Sequence, residues 1–339
     1  MKELTYRLNL IPCVINVFFY SRKHVKQIIC SILTLVFLSQ AYATTAILKT
    51  IETDDCMITW IKSSSNEIQI VKQIKDVPAD EQFLLVLDAL ACFIANQSNI
   101  PMNQVTLIPA YVPFIGKYYQ DRIATLHTLA PGHPVSEYLP WPDFDIHQRF
   151  RKPGSPLWIK WGPLPSQKAG LTHEVISDMS RHPTLPKIVA LDTFVGNADR
   201  SNPNIFYDSA NQSFCGIDMA ASFNNVLAEV ACDQLNCLFN EKNLLSNLEL
   251  QGLIIYYRTL RDLVDRFPLS QLHMLLDEFA NDGGFVPTSA LYNQDVQDRM
   301  DHHKIVIKEN YHFSLHLLKI LEKYLKLEAY ADLLEEEKL

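Results

Sequence analysis

The segment from Phe194 to Phe223 restricts the fold of this chain more than any other stretch. It reads Gly196-Asn197-Ala198-Asp199-Arg200-Ser201-Asn202-Pro203-Asn204 and continues through Ile205-Phe206-Tyr207-Asp208 to Gly216-Ile217-Asp218. An apolar-periodic run, Leu185–Val195, predicts a helix that ends just before Asp199. A strand then begins at Asn204, turns at Asp208–Gln212, and returns as Ser213–Ile217. One helix–turn–hairpin unit therefore brings together an acid on a loop, an amide at a strand start and a second acid on the returning strand. Taken singly, Asp199 and Asn204 also read as turn formers, because Asn and Asp side chains bond their own backbone. Asp218 alone also reads as a cap for the segment that follows it.

Upstream, Met57–Ile61 and Ile68–Ile74 alternate apolar and polar residues around Ser63–Glu67, the pattern of a β-hairpin. Asp76-Val77-Pro78-Ala79-Asp80-Glu81 opens a long apolar-periodic stretch to about Asn96, with a proline and two acids in the first turn. Gln104–Ile108 predicts another strand. From about Ala130 to Pro165 the chain is rich in Pro, Gly and aromatics and reads as irregular connection. Helices are predicted at Leu171–Arg181, Leu244–Phe267, Leu269–Ala280 and Asp295–Leu327. Glu335-Glu336-Glu337-Lys338 reads as a solvated tail. The expected class is α+β with two lobes. Residues 44–129 form a small β-rich lobe with one long helix, and residues 130–327 a larger, mostly helical lobe that carries the hairpin. Residues 328–339 form an acidic tail, and the site falls in the cleft between lobes.

The chemistry that suits these side chains is phosphoryl transfer, in which catalysis is mainly positioning and electrostatic stabilisation. Mg²⁺ takes oxygen ligands and keeps several waters, so Asn204 and Asp218 suffice as its protein ligands. Asp199 would orient an attacking hydroxyl or accept its proton. Arg200, next to it, would neutralise either a phosphate or Asp199.

This segment resembles the catalytic segment of HipA-like kinases and, more distantly, of phosphoinositide 3- and 4-kinases. Those families carry a D-R-x-x-x-N-I stretch followed by a hydrophobic-Asp metal motif. The sharp match covers Phe194–Phe223, and the order of elements agrees over roughly Met57–Leu327. The resemblance implies a protein-kinase-like fold, ATP with Mg²⁺ or Mn²⁺, and transfer to a protein Ser/Thr, with lipid or small-molecule hydroxyls as variants. It makes Asp199 the catalytic aspartate and Asn204 and Asp218 the metal ligands. It also implies a strand lysine on the nucleotide phosphates, paired with a helix glutamate. Lys72 is the best match, with Lys75 competing, and Glu81 is the implied partner. The sequence departs from the pattern in three places. No glycine precedes Gly116, so the turn Ser63–Glu67 is not a glycine-rich phosphate loop. Ser201 stands where many relatives have His, and Met219-Ala220 follows Asp218. Thr125–Leu129 lies where the connection between lobes should hold the adenine. A pseudokinase, keeping the fold as a nucleotide-binding or protein-interaction module, is the competing class.

Other readings have less behind them. The formal net charge of −8 argues against nucleic acid as a partner. Ser177 and Cys215 have no nucleophile signature around them. Asp301-His302-His303 and His312 read as a polar helix face, since adjacent helix residues point about 100° apart. Leu315, Leu318, Leu321 and Leu325 read as a core stripe. At the N-terminus, Arg22, Lys23, His24 and Lys26 precede the apolar run Ile28–Leu38 and Ala41-Tyr42-Ala43, the three parts of a secretory signal. The run falls short of the ~20 residues of a bilayer span. Residues 1–43 are therefore expected to direct export (to the periplasm, the medium or another cell), or to anchor the chain at a membrane if uncleaved. Cys56, Cys92, Cys215, Cys232 and Cys237 would then remain, at spacings that make no disulfide framework, although Cys232 and Cys237 could pair.

Overall fold

Period-two alternation and short polar turns give the N-terminal half an antiparallel sheet. The computed structural model describes residues 46–52, 56–63, 65–74, 79–109, 122–134, 183–197, 200, 204–224, 226, 250–287, 289 and 291–336. The first strands are β1 (Ala46–Glu52), β2 (Cys56–Lys62) and β3 (Ile68–Ile74). With β4 (Val105–Ile108) and β5 (Ala124–Thr128) they form a five-stranded sheet in the order β1-β2-β3-β5-β4. The β2–β3 turn closes on itself without glycine. The Ser63 amide donates to Glu67 O at 2.8 Å, and Asn66 takes the left-handed conformation, φ 72°, that Asn tolerates. Register then sets the inner face: Lys72 lies opposite Thr125, and Ile70 opposite His127. Because side chains alternate along a strand, Lys72, Thr125 and His127 share one face. Of Thr125–Leu129, the residues expected to connect the lobes, Thr125–Thr128 belong to strand β5, and Leu129 opens the link Leu129–Gly132 that joins β5 to β6.

Helix α1 (Ala79–Gln97) is apolar around most of its circumference, the pattern of a helix buried on all sides. Leu85 to Cys92 are all fully buried, Asp88 among them. Beyond the end of the helix Asn99 turns left-handed, φ 53°, with the Ile100 amide returning to Ala95 O at 2.9 Å.

The C-terminal half contains the three-stranded sheet β6 (His133–Pro134), β7 (Ile205–Asp208) and β8 (Ser213–Gly216). Its helices are α2 (Thr184–Val195), α3 (Leu250–Arg266), α4 (Leu269–Asp282) and α5 (Gln294–Glu336). One hydrophobic core runs from Phe83 and Leu90 of α1 through Phe194, Leu260 and Leu276 to Leu317 and Leu321 of α5. A smaller cluster, Ile61, Val71, Ile108 and Ala124, covers the outer face of the five-stranded sheet. The α+β order expected from sequence, a β-rich N-terminal part with one helix and a helical C-terminal part, is the order observed.

The leucine stripe of α5 is core, with Leu318 and Leu321 buried and Leu315 and Leu325 packed against them. Helix α5 runs on to Glu336, past the start of the expected tail, because Lys326–Leu334 contains helix formers and neither Gly nor Pro. Cys56, Cys92 and Cys215 are free thiols. The expected helix Leu171–Arg181, Lys75, Cys232, Cys237 and the N-terminal segment lie outside the described residues. Among the described residues, no helix is long and apolar enough to cross a membrane.

Candidate functional site

The short stretch Gly216–Met219, leaving β8, is held from several sides. The Gly216 amide donates to Pro101 O at 2.9 Å, and the Asn103 amide donates to Gly216 O at 3.2 Å. Met102 lies so close that a Cβ on Gly216 would come within 2.3 Å of its sulfur. The Ile217 amide donates to Asn204 O at 3.0 Å, which places the start of β7 beside the end of β8. Asp218 follows with φ 55°, a left-handed conformation that costs roughly 1–3 kcal/mol and persists only where the surroundings impose it.

From the opposite sheet, Lys72 Nζ donates to Asp218 Oδ1 at 2.7 Å, across 146 positions of sequence. Burial by itself would lower the lysine pKa, but Asp218, and after it Asp88, outweigh that and hold it above the ordinary value. Burial likewise pushes the Asp218 carboxyl up, and Lys72 more than reverses this, leaving it below the ordinary value. Both groups are therefore charged at neutral pH.

Arg200 has a different environment from the one expected for it. Its side chain is buried, and each of the five guanidinium N–H groups has a partner. Nε and Nη2 grip Asp192 at 3.0 and 2.9 Å, and Nη1 donates to the carbonyls of Asn204 and Ile217, each at 2.6 Å. Nη2 also points at Met219 Sδ, 2.8 Å away. Arg200 is thus a clamp joining α2 to both strands of the hairpin, and its N–H groups are all engaged by protein acceptors. Asn197 completes the clamp by donating to Asp192 Oδ1 at 3.0 Å.

Glu81 is exposed near the start of α1, and the structure does not bring it to Lys72. The helix acid near the lysine is Asp88, about two turns further on. Asp88 Oδ1 accepts the Met219 amide at 3.0 Å. Its signal in the sequence is a lone carboxylate inside the apolar run Phe83–Ile94, since a buried acid demands a partner. Asp199 lies outside the described residues. Its neighbour Arg200 is fixed as above.

The far end of the loop is also anchored. Phe223, at φ 58°, donates its amide to Val195 O at 2.6 Å and accepts from His303 Nδ1 at 2.9 Å. His303 is buried against Phe83, and burial pushes its pKa down to about 4, so it is neutral. The polar-face reading of α5 therefore holds for the exposed His302 and His312 and fails for His303, which turns into the core.

Among the described residues, no group of three or more His, Cys, Asp or Glu side chains could cage a metal. A hard cation of the Mg²⁺ kind needs less: one or two oxygen donors beside solvent. Asp218 keeps 36% of its side chain exposed, and Asn204, just before β7, has its carbonyl bonded to the amide of Ile217, the residue before Asp218. That donor set fits such an ion.

No protein-family model matches this sequence, and no curated protein matches it. Solved structures share a general likeness of arrangement. The Helicobacter pylori proinflammatory kinase CtkA is 13% identical, with a TM-score of 0.40 covering 81% of this chain and 97% of that one. HipA of Shewanella oneidensis MR-1, in a complex with HipB and operator DNA, is 10% identical, with a TM-score of 0.41 covering 82% and 66%. The Rio2 kinase of Chaetomium thermophilum is 11% identical, with a TM-score of 0.33 covering 81% and 75%.

Proposed function

We propose that this chain is an ATP-dependent phosphotransferase of the HipA-like type, acting on a Ser or Thr hydroxyl of a protein. One observation carries the reading. The strand lysine and the metal-loop aspartate, which the resemblance assigns to a single site from distant parts of the sequence, meet at 2.7 Å. Asp218 and Asn204 would hold Mg²⁺ or Mn²⁺, which when bound neutralises charge on the phosphate oxygens. Lys72 would hold the nucleotide phosphates. Asp199 would take the hydroxyl proton as the acceptor oxygen bonds to the γ-phosphorus. The bond to the bridging oxygen breaks, and ADP leaves with the electron pair. Arg200 serves by fixing the backbone next to Asp199 and beneath Asn204.

Lys72 and Asp218 now satisfy one another, so nucleotide and cation would part them, each charge exchanging its partner for the ligand's. This bond also favours a second reading, a nucleotide-binding or protein-interaction module without turnover. The glycine-free turn Ser63–Glu67 points the same way. Export directed by residues 1–43 belongs to the proposal as well. N-terminal sequencing of exported protein tests it, and an intact Met1 there overturns cleavage.

The deciding experiment is transfer of labelled γ-phosphate by the full chain with Mg²⁺ or Mn²⁺, beside Asp199→Ala and Asp218→Ala. Self-labelling and labelling of protein, lipid and small-molecule hydroxyls are read together. Labelling that vanishes in both variants is expected. Nucleotide binding without labelling supports the module. Absence of both overturns the nucleotide site.

A further inference from the structure

Asp88 sits at the centre of a buried polar ring that begins and ends on the Asp218 segment. Its Oδ1 holds the Met219 amide, while its Oδ2 makes no hydrogen bond and faces His127 Nε2 at 3.8 Å. The imidazole is fixed from both sides: Asn103 Nδ2 lies 3.1 Å from Nδ1, and Thr125 Oγ1 lies 2.8 Å from Nε2. Asn103 returns to the segment through its own amide, which donates to Gly216 O. The ring therefore touches the chain on both sides of Asp218, at Gly216 and at Met219. Asp88, Thr125, His127 and Asn103 are all buried. The charged or titratable groups acting on His127 are Asp88 from α1, Lys72 from β3 and Asp218 itself, and burial keeps the imidazole pKa below its ordinary value.

Such a ring costs stability unless its members are well bonded, because a buried carboxylate is expensive to dehydrate. An apolar residue at position 88 would fill the helix but leave the Met219 amide without an acceptor.

We propose that Asp88, steadied by His127, is a positioning residue for Asp218. By holding the Met219 amide it keeps Asp218 in the left-handed conformation that presents its carboxylate to Lys72 and to a bound cation. The conformational part of this inference stands on the geometry alone. Its consequence for catalysis rests on the phosphotransferase reading above.

The test is hydrogen–deuterium exchange of the full chain without ligand, read on the peptide spanning Gly216–Phe223, in the wild type, Asp88→Ala and Asp88→Asn. Loss of the acceptor should speed exchange there by about tenfold, with peptides of α4 and α5 unchanged. Asp88→Asn, which keeps an oxygen in place, should restore most of the protection. The same proteins are then heated with Mg²⁺ and ATP. The wild-type stabilisation should be lost in Asp88→Ala and recovered in Asp88→Asn. If Asp88→Ala does not fold, His127→Leu replaces it, with a smaller rise of about threefold expected in the same peptide. Unchanged protection of Gly216–Phe223, or equal loss across α4 and α5, overturns the proposal. Correct exchange with no effect of Mg²⁺ and ATP on the wild type leaves the positioning intact and instead overturns the phosphotransferase reading.

Discussion

Two ion pairs flank the segment Gly216–Met219, and they differ in almost every respect except charge. Arg200–Asp192 leaves 2% and 3% of the two side chains exposed, and every guanidinium N–H has a partner. Lys72–Asp218 leaves 14% and 36% exposed, with one hydrogen bond between the groups. The first fixes backbone: it binds the carbonyls of Asn204 and Ile217 and so sets the spacing of the two strands. The second sits where solvent and ligands reach it, on a residue held at φ 55°. Saturation marks a charge that builds the site, and unused bonding capacity marks one that can work in it.

The comparison predicts opposite outcomes for the two pairs. The largest effect is expected from Arg200→Ala, which leaves Asp192 buried without a counter-charge. Stability should fall by about 3–5 kcal/mol, read as a drop in the urea midpoint. Arg200→Lys should recover less than half of that, because one ammonium cannot replace a planar fork. Asp218→Asn should do the reverse. Its stability should fall by less, about 1–3 kcal/mol, because the amide still accepts a hydrogen bond from Lys72 and the pair is partly open to solvent, while Mg²⁺-dependent nucleotide stabilisation and phosphate transfer disappear. If Asp218→Asn melted as early as Arg200→Ala, the distinction would collapse.

Gly216→Ala tests the shared segment. The added Cβ displaces the Met102 sulfur, at an expected cost of about 1–3 kcal/mol, and adding Met102→Ala should cost less than the two single changes summed.

The smallest effect is in pH dependence. Asp218 titrates below its ordinary 3.8 and Lys72 above its ordinary 10.5. The acid's contribution is therefore complete above pH 3.8 and lost as pH falls through its folded value. The lysine's is complete below pH 10.5 and lost as pH rises through its folded value. The stability difference between the parent and Lys72→Met should stay flat across neutral pH and shrink only in acid or strong base.

Local signals made the hairpins, α1 and the helix-to-hairpin unit legible in the sequence, because alternation, Asn/Asp turns and helix-start acids act over a few residues. Approach between distant elements was less legible. Asp218 was named from the helix–turn–hairpin unit and Lys72 from a resemblance, and only the sheet register and the fold of β8 bring them together. Glu81 looked like the helix partner because it sits in the first turn, but its side chain is exposed and the inward position belongs to Asp88. Arg200 followed an acid and so read as neutralising either a phosphate or Asp199. Its true partner, Asp192, lies in a helix whose inner face sequence alone does not orient. His303 stood among polar neighbours and gave no sign that it turned inward.

The link Leu129–Gly132 has a mechanical consequence. Gly132 is at φ 82°, and a Cβ there would lie 2.0 Å from the Tyr207 carbonyl, so this end of the tether is wedged against β7. Four residues span at most about 14 Å even when fully drawn out. So short a strap, pinned at one end, transmits torque instead of absorbing it. Any swing of the five-stranded sheet over the helices levers directly on β7, the strand that begins next to Asn204.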